Sequence, residues 1–460
     1  MFEKWIDQNR DDIIAKTQGV LRIDSVGGEP SAPDQPFGPG CAEALDYALQ
    51  LGQELGFAVK NVDGYAGHIE MGEGEEYIAV LGHLDVVPVG SGWTYPPFGA
   101  EIHDGKIYAR GAIDDKGPTM AALFAMKAIR ESGVQLSKRV RLIMGLDEES
   151  NWRCMDHYFT KEPYPVGGFT PDADFPLIYA EKGIYCFNLT KPRGDLASAP
   201  VVVRELTGGN RVNMVPDSCR VVLAVTGDAE AVAAQIRDTA AKENVNHQLT
   251  VSGGEIVLTV EGLSVHSMAP QHGINAVVQA GKLLRALDTA DRDIWAFLSE
   301  VDTDGERVGV KMTCHATGPL TCNLGLALVN GEEITFTFNL RFPVDKTDAD
   351  MLILLEQKTG PEGFRVTDPG IANMKPHYVP LESEIVQTLL KVYAEETGEQ
   401  AAPLTTGGGT YARAIPNAVA FGAQFPGQPE VAHQKDEFWE VDHLLKCTKI
   451  FAKAIYELAK

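Results

Sequence analysis

The feature that most constrains this chain is a pair of short apolar runs separated by one amphipathic segment. The runs EYIAVLGHLD (76–85) and RVRLIMGLDEE (139–149) both end in polar residues, as buried strands of an α/β sheet do. Between them, PTMAALFAMKAIRESG (118–133) starts with proline and ends with glycine, the usual punctuation of a helix. Strand, helix and strand in this order predict a parallel pair, whose ligand site lies at the carboxyl ends of the strands.

The pattern changes near residue 185, where apolar and polar residues begin to alternate as in half-exposed antiparallel strands. CRVVLAV (219–225) and EITFTFNLRF (333–342) are examples, and the stretch 247–262 predicts two strands that turn at Ser252-Gly253-Gly254. Helical spacing resumes after about residue 379. We therefore predict an α/β domain with a mixed, mostly parallel sheet flanked by helices, formed by residues 1–184 and 379–460, and an inserted α+β domain over residues 185–378.

Composition narrows the classes of partner. The formal net charge of −24 repels phosphate backbones, so we expect no nucleic-acid partner. No apolar run approaches the roughly 18 residues that a membrane-spanning helix needs, and the opening residues MFEKWIDQNRDDII carry acids where an export signal is basic and apolar. The seven cysteines show no CxxC spacing and are typical of reduced packing residues. These features predict a cytoplasmic protein.

Histidines and carboxylates gather where the predicted strands of the first domain end. His83 and Asp85 are two positions apart, so both project from the same face of their strand. The remaining members follow other elements of that domain: Asp114, Asp115, Glu148, Glu149, Asp172 and His433. Each has an ordinary alternative, such as a solvated acid or a helix-start acid that complements the dipole. Together, imidazole and carboxylate groups form the ligand set of zinc, manganese or cobalt at a hydrolytic site.

These motifs resemble those of a known family. GHLDVVP, ARGAIDDKGP, GLDEES, a PDADFP loop and a late histidine occur in an order that is similar to the co-catalytic metallopeptidases, which include aminoacylase, carboxypeptidase G, succinyl-diaminopimelate desuccinylase and carnosinase. DDKGP and GGGTYAR resemble the bacterial peptidase V-type dipeptidases most. The resemblance implies that the first domain is catalytic, that the insertion is an enlarged lid, and that the protein is a monomer.

The resemblance also implies two divalent ions, zinc or manganese with cobalt as a further option. One ion would be held by His83, Asp114 and Asp172, and the other by Asp114, Glu149 and His433. Asp114 would then be the bridge, since its two oxygens can each take one metal. Asp174 is the alternative to Asp172 in the same loop. Family members carry a cis peptide at the position that matches Asp114-Asp115.

Two more carboxylates receive roles from the same resemblance. Asp85 is expected to accept the spare N–H of His83 and so to fix its tautomer. Glu148 is expected to be the general base that takes a proton from water and delivers it to the leaving amine. Asp85 and Asp115 are also candidates for an anionic feature that would meet a free substrate ammonium.

The insertion contributes a second group of candidates. Within GLSVHSMAPQHGINA (262–276), the resemblance assigns His266 to stabilising the tetrahedral oxyanion. It assigns Asn213, in NRVNMVPD, to assisting the binding of the substrate or of the oxyanion. Arg341 could be a plain surface residue or, as in peptidase V-type enzymes, a clamp on the substrate's C-terminal carboxylate. The glycine run Gly407-Gly408-Gly409, followed by Thr410, is either a flexible turn or a close backbone approach to the same carboxylate, through Gly408, Gly409 and Thr410.

These features predict a metal-dependent dipeptidase that cleaves small unblocked dipeptides. The nearest alternative is an N-acyl amino acid deacylase, such as a deacetylase or desuccinylase, that uses the same two-metal site. A non-catalytic binding protein with the same fold is a third reading, but it predicts damaged ligands or a missing base, and every expected position is filled.

Overall fold

The computed structural model describes residues 2–460, which separate into two compact units. The first unit contains the chain up to Ala180, together with Tyr378–Thr405 and Gly409–Lys460. The second unit contains Glu181–His377 and Thr406–Gly408. No helix within residues 2–460 has the length and apolar character that crossing a membrane requires.

The helix predicted over 118–133 has proline near its start and glycine at its end, as the sequence indicated. In the helix Lys116–Ser132, Pro118 stands in the first turn and Gly133 ends the helix with a left-handed φ of 69°. Thirteen of its 17 residues are buried. In chain order the α-helices are α1 (Glu3–Gln8), α2 (Arg10–Leu21), α3 (Pro39–Glu54), α4 (Lys116–Ser132), α5 (Arg153–Lys161), α6 (Ala229–Glu243), α7 (Ala276–Leu284), α8 (Arg292–Ser299), α9 (Asp348–Thr359), α10 (Glu384–Thr397) and α11 (Val441–Ala459).

The longest strands, of ten residues each, lie in the second unit. In chain order they are β1 (Ala58–Val62), β2 (Ala66–Met71), β3 (Tyr77–His83), β4 (Glu101–His103), β5 (Lys106–Tyr108), β6 (Arg139–Gly145), β7 (Gly167–Thr170), β8 (Ala173–Asp174), β9 (Ile178–Glu181), β10 (Gly183–Pro192), β11 (Val201–Gly208), β12 (Ser218–Val225), β13 (His247–Ser252), β14 (Glu255–Glu261), β15 (Thr313–Cys314), β16 (Gly318–Pro319), β17 (Thr321–Asn330), β18 (Glu333–Phe342), β19 (Arg365–Thr367), β20 (His377–Tyr378), β21 (Leu404–Thr406), β22 (Ala418–Ala420), β23 (Ala423–Gln424) and β24 (Phe438–Glu440).

The main sheet of the first unit is mixed. Its order is β1-β2-β6-β3-β7-β22-β9-β20, with β21 beside β9. The central strands β6, β3, β7 and β22 run parallel, whereas β1, β2 and β9 pair antiparallel at the outside. Helix α4 packs against β3, β6 and α11. The prediction of a mixed α/β sheet flanked by helices is therefore confirmed, with the parallel strands at its centre.

The register of the two central strands places the functional motifs side by side. His83, the last residue of β3, pairs with Gly145, the last residue of β6. Both strands are buried along almost their whole length, which explains why their sequences are continuous apolar runs. Their carboxyl ends therefore meet at one edge of the sheet, where the chain turns polar.

The second unit is built on an antiparallel sheet of order β13-β14-β12-β11-β17-β18-β10-β19. The predicted hairpin is present, since β13 pairs with β14 from Ser252 opposite Glu255 outward. Helices α6 and α7 pack on β12–β14, and α9 packs on β10 and β19. The core of this unit includes Phe187, Leu258 and Trp295, each no more than 1 % exposed. This is the α+β pattern that the alternating strands predicted.

Candidate metal centre

His83 is fully buried at the end of β3, and its ring is oriented by the main chain. Its Nδ1 lies 2.9 Å from the main-chain oxygen of Asp85. Because a carbonyl oxygen can only accept, Nδ1 carries the proton, and the lone pair of the neutral ring is on Nε2. The carboxylate of Asp85, which the resemblance implies as the acceptor, lies farther from this nitrogen. Its Oδ1 is 3.5 Å from Nδ1, while its Oδ2 accepts the N–H of Glu149 at 3.0 Å.

The Nε2 atom of His83 faces carboxylates rather than a hydrogen-bond donor. It is buried without a hydrogen-bond partner, 3.1 Å from Asp114 Oδ1 and 3.7 Å from Asp172 Oδ2. An imidazole lone pair that points at carboxylate oxygens is repelled by them unless a cation lies between the groups. Nitrogen and carboxylate oxygen are donors that zinc and manganese both accept. The residues therefore fit a divalent metal ion.

The two oxygens of Asp114 face two different histidines. Oδ1 approaches His83, and Oδ2 lies 2.9 Å from Nε2 of His433. The same His433 nitrogen is 3.0 Å from Glu149 Oε1. This is the arrangement that a carboxylate bridging two cations requires. Candidate ligand atoms of His83, Asp114 and Glu149 lie within 4.8 Å of one another, as do those of His83, Glu148 and Asp172.

The loop after β7 brings Asp172, and not Asp174, towards His83. Asp174 lies in β8, which pairs with β23 through Gln424. Asp172 is the acid to which the resemblance assigns a ligand role. The peptide between Asp114 and Asp115 is cis, as the family resemblance implied.

Asp115 supports the strand that carries His83. Its carboxylate Oδ2 accepts the main-chain N–H of His83 at 3.2 Å and the hydroxyl of Thr119 at 3.0 Å. Asp115 is 0 % exposed and Asp85 is 2 % exposed. Both carboxylates are thus engaged inside the unit, which argues against their meeting a substrate ammonium. Sequence reasoning missed this role, although the adjacency of two acids at a helix start was a visible signal.

The buried carboxylates of the site have shifted pKa values, raised for three of them and lowered for Asp114. Burial raises the pKa of Glu148 well above its ordinary value. Burial and the nearby Asp114 charge raise the pKa of Glu149 to about 7 and also raise that of Asp172. Burial works against ionisation of Asp114 too, but the adjacent rings of His433 and His83 outweigh it and lower its pKa. Divalent cations would compensate this excess of negative charge.

Arg341 is buried within the second unit, so the surface alternative is wrong. It is 4 % exposed, and its guanidinium donates to Asn339 Oδ1 at 2.9 Å, to the Gly407 carbonyl at 2.9 Å and to Ser267 Oγ at 3.1 Å. Ser267 directly follows the half-buried His266. The second unit therefore brings Arg341, the His266 loop and the glycine run together.

The other candidates of this group have local partners. The carbonyl of Asn213 accepts the N–H of Ser267 at 2.9 Å, which holds the Asn213 and His266 segments side by side. The N–H of Gly408 donates to Thr406 Oγ1 at 2.9 Å. Thr410 caps the short 3-10 helix Tyr411–Ala414 by accepting the N–H of Ala412 at 3.2 Å. Gly409 and Thr410 belong to the first unit, whereas Gly408 belongs to the second.

The chain is similar to known proteins in sequence and in fold. The sequence profile of Peptidase family M20/M25/M40 matches residues 79–457. "Putative dipeptidase YtjP" of Bacillus subtilis (strain 168) is 42% identical to this chain over 467 residues, covering 100% of both proteins. Among solved structures, the di-peptidase Dug1p from Saccharomyces cerevisiae superposes with a TM-score of 0.58 at 12% identity, covering 99% of this chain and 97% of its own. Human carnosine dipeptidase 1 gives a TM-score of 0.54 at 15% identity, covering 99% and 98%. These two structures share the fold of this chain.

Proposed function

The chain belongs to Peptidase family M20/M25/M40, as its motifs predicted, and on that premise we propose that it is a metal-dependent dipeptidase acting on small unblocked dipeptides. The observation that carries the proposal is the carboxylate of Asp114, whose two oxygens face His83 and His433. The relative in Bacillus subtilis (strain 168), which is named "Putative dipeptidase YtjP" and matches over 100% of both chains, supports the substrate class.

Two divalent ions complete the proposed site. His83, Asp114 and Asp172 would hold the first ion, and Asp114, Glu149 and His433 the second. When bound, such ions supply Lewis acidity, which lowers the pKa of water and polarises a carbonyl group. The mixed nitrogen and oxygen donors suit zinc, manganese and cobalt. We propose that the metal bound in the cell is zinc or manganese. The main-chain carbonyl of Asp85 keeps His83 in the tautomer that leaves Nε2 available.

Glu148 is the proposed general base. Its burial raises its pKa, so the carboxylate can take a proton from the attacking water and release it to the leaving amine. Its main-chain oxygen accepts the indole N–H of Trp152 at 2.7 Å, which holds the turn after β6 in place. Ligand atoms of Glu148 and Asp172 lie in one group with His83, so the base stands beside the first ion's proposed donors.

Residues of the second unit would recognise the substrate. We assign the substrate's C-terminal carboxylate to Arg341, because a buried guanidinium that is already oriented by three acceptors loses little entropy on binding. His266 would stabilise the oxyanion, and Asn213 would assist it. The glycine run with Thr410 would allow the close approach of the ligand, and the inserted unit would act as a lid.

We also propose a cellular compartment and an oligomeric state for the enzyme. Among residues 2–460 all seven cysteines are free thiols, and six of them are buried. Unpaired buried thiols suit a reducing compartment, which supports a cytoplasmic enzyme. We further propose that it acts as a monomer, because the resemblance to peptidase V-type enzymes implies a lid that supplies from one chain what relatives take from a partner subunit.

The test is amino-acid release from matched free dipeptides, tripeptides, N-acetyl and N-succinyl amino acids, with Zn²⁺ or Mn²⁺ added and a chelator control. The proposal expects cleavage of dipeptides that chelator abolishes. Glu148→Gln should keep both ions and lower kcat by about 10²–10⁴-fold, since it removes the acid–base group alone. Glu75→Gln, an exposed glutamate of the same unit, is the control. Cleavage of acylated substrates alone would make the enzyme a deacylase, and normal turnover by Glu148→Gln would remove that residue from the mechanism.

A further inference from the structure

A buried ion pair connects the two loops that carry Asp114 and His433. Arg110 and Glu437 are 1 % and 0 % exposed, and Nη1 of Arg110 donates to Oε2 of Glu437 at 2.5 Å. The other carboxylate oxygen of Glu437, Oε1, accepts the main-chain N–H of Ile113 at 3.1 Å and that of Asp114 at 3.4 Å. From the other side, Nη2 of Arg110 donates to the main-chain carbonyl of His433 at 3.3 Å. One ion pair therefore holds the backbone of both loops.

Ordinary core packing does not require this pair. Removing two charges from water is costly, and apolar side chains of similar volume often stabilise a core as well or better. Strands β5 and β24 already join the two chain segments, with Ile107 opposite Trp439. The pair acts beyond those strands, on loop backbone that lies outside any strand. Its hydrogen bonds go to the residues that present Asp114 and His433.

We infer that Glu437 and Arg110 are positioning residues that set the spacing between Asp114 and His433, and so the affinity for the ion proposed between Asp114, Glu149 and His433. The inference rests on the two-metal site of the proposed function. His83 and Asp172, which complete the other set of donors, receive no hydrogen bond from the pair. Loss of the pair should therefore weaken one ion more than the other.

The experiment measures Zn²⁺ binding rather than turnover. Metal-free wild type, Glu437→Gln and Arg110→Met are titrated against a chromophoric chelator of known affinity, and bound zinc is counted after gel filtration. The matched control is Glu162→Gln, which breaks another buried ion pair of the first unit: Glu162 is 8 % exposed and accepts from Arg141 Nη1 at 2.7 Å. Urea unfolding of each metal-free protein shows whether the variants fold.

We expect wild type and Glu162→Gln to bind two ions. Glu437→Gln and Arg110→Met should bind the ion that has His433 as a ligand about 10–100-fold more weakly, the usual effect of disturbing the groups that orient metal ligands. The other ion should be weakened less, because Asp114 is the only one of its donors that the pair contacts. A general loss of folding would weaken both ions together, so a selective loss separates positioning from stability.

Two results would overturn the inference. Folded variants that bind both ions as wild type does would show that the pair has no part in metal affinity. Wild type that binds fewer than two ions would refute the proposed metal centre itself, and the inference with it. If Glu437→Gln does not fold without metal, Arg110→Met decides, because it leaves the carboxylate on the N–H groups of Ile113 and Asp114 and removes the hydrogen bond to His433.

Discussion

Replacing Gly82 by alanine should disturb the end of β3, where His83 lies. A Cβ atom at this position would stand 2.1 Å from Thr119 Oγ1 and 2.8 Å from Asp115 Oδ2. Thr119 and Asp115 are both 0 % exposed and belong to the start of α4, so neither can swing into solvent. Because an ordinary van der Waals contact of a Cβ atom is 3.4–4 Å long, the strand and the helix must separate by more than about 1 Å.

The cost follows from the contacts that this separation breaks. An extra methyl group in a closed core lowers the free energy of unfolding by about 1–3 kcal/mol. The displaced Asp115 carboxylate is also the acceptor for the main-chain N–H of His83 at 3.2 Å. A shift of about 1 Å in a group that positions the reaction can lower the rate about 10²-fold. Gly82→Ala should therefore lose both stability and turnover.

Urea unfolding of the metal-free protein and kcat/KM for one dipeptide measure the two effects. Gly28→Ala is the control, since a Cβ there meets nothing within 4 Å. The double variant Gly82→Ala/Thr119→Ala removes the 2.1 Å contact and should recover part of the lost stability. The reasoning is refuted if Gly82→Ala unfolds at the same urea concentration as Gly28→Ala and turns over at the wild-type rate.

Two other substitutions test the site's surroundings. Burial, reinforced by the Arg141 charge, lowers the pKa of His68 to about 4. The unfolded chain therefore binds the proton more strongly than the folded chain does, and stability that is present at pH 7 is lost as the pH falls from 6.5 towards 4. The free energy of unfolding of the wild type should fall by about 2 kcal/mol between pH 7 and pH 5. His68→Gln should show a smaller fall when both proteins are unfolded by urea without metal, and an equal fall in both proteins would contradict the prediction. Arg341→Lys cannot reproduce three planar contacts, so KM for dipeptides should rise about tenfold or more with a smaller change in kcat, and an unchanged KM would remove Arg341 from carboxylate binding.

The sequence determined the features that depend on local order. The apolar runs that became β3 and β6, with Pro118 and Gly133 bounding α4, predicted a parallel pair with polar carboxyl ends. The alternating segments predicted the antiparallel sheet of the second unit. These predictions succeed because side-chain periodicity and helix punctuation act over a few residues and are written directly in the chain. The motif order likewise indicated the family, which the profile match over residues 79–457 confirms.

Tertiary structure alone decided which atoms meet. It gave Nδ1 of His83 a main-chain carbonyl instead of the Asp85 carboxylate, and it buried Arg341. It also paired Arg110 with Glu437, which are 327 positions apart in the chain. Such choices depend on the packing of distant segments and on sub-ångström distances, since hydrogen bonds and charge interactions change steeply over that range. Residue types and short spacings do not determine those distances. The sequence therefore predicted the chemistry of the site but not the hydrogen-bond partners within it.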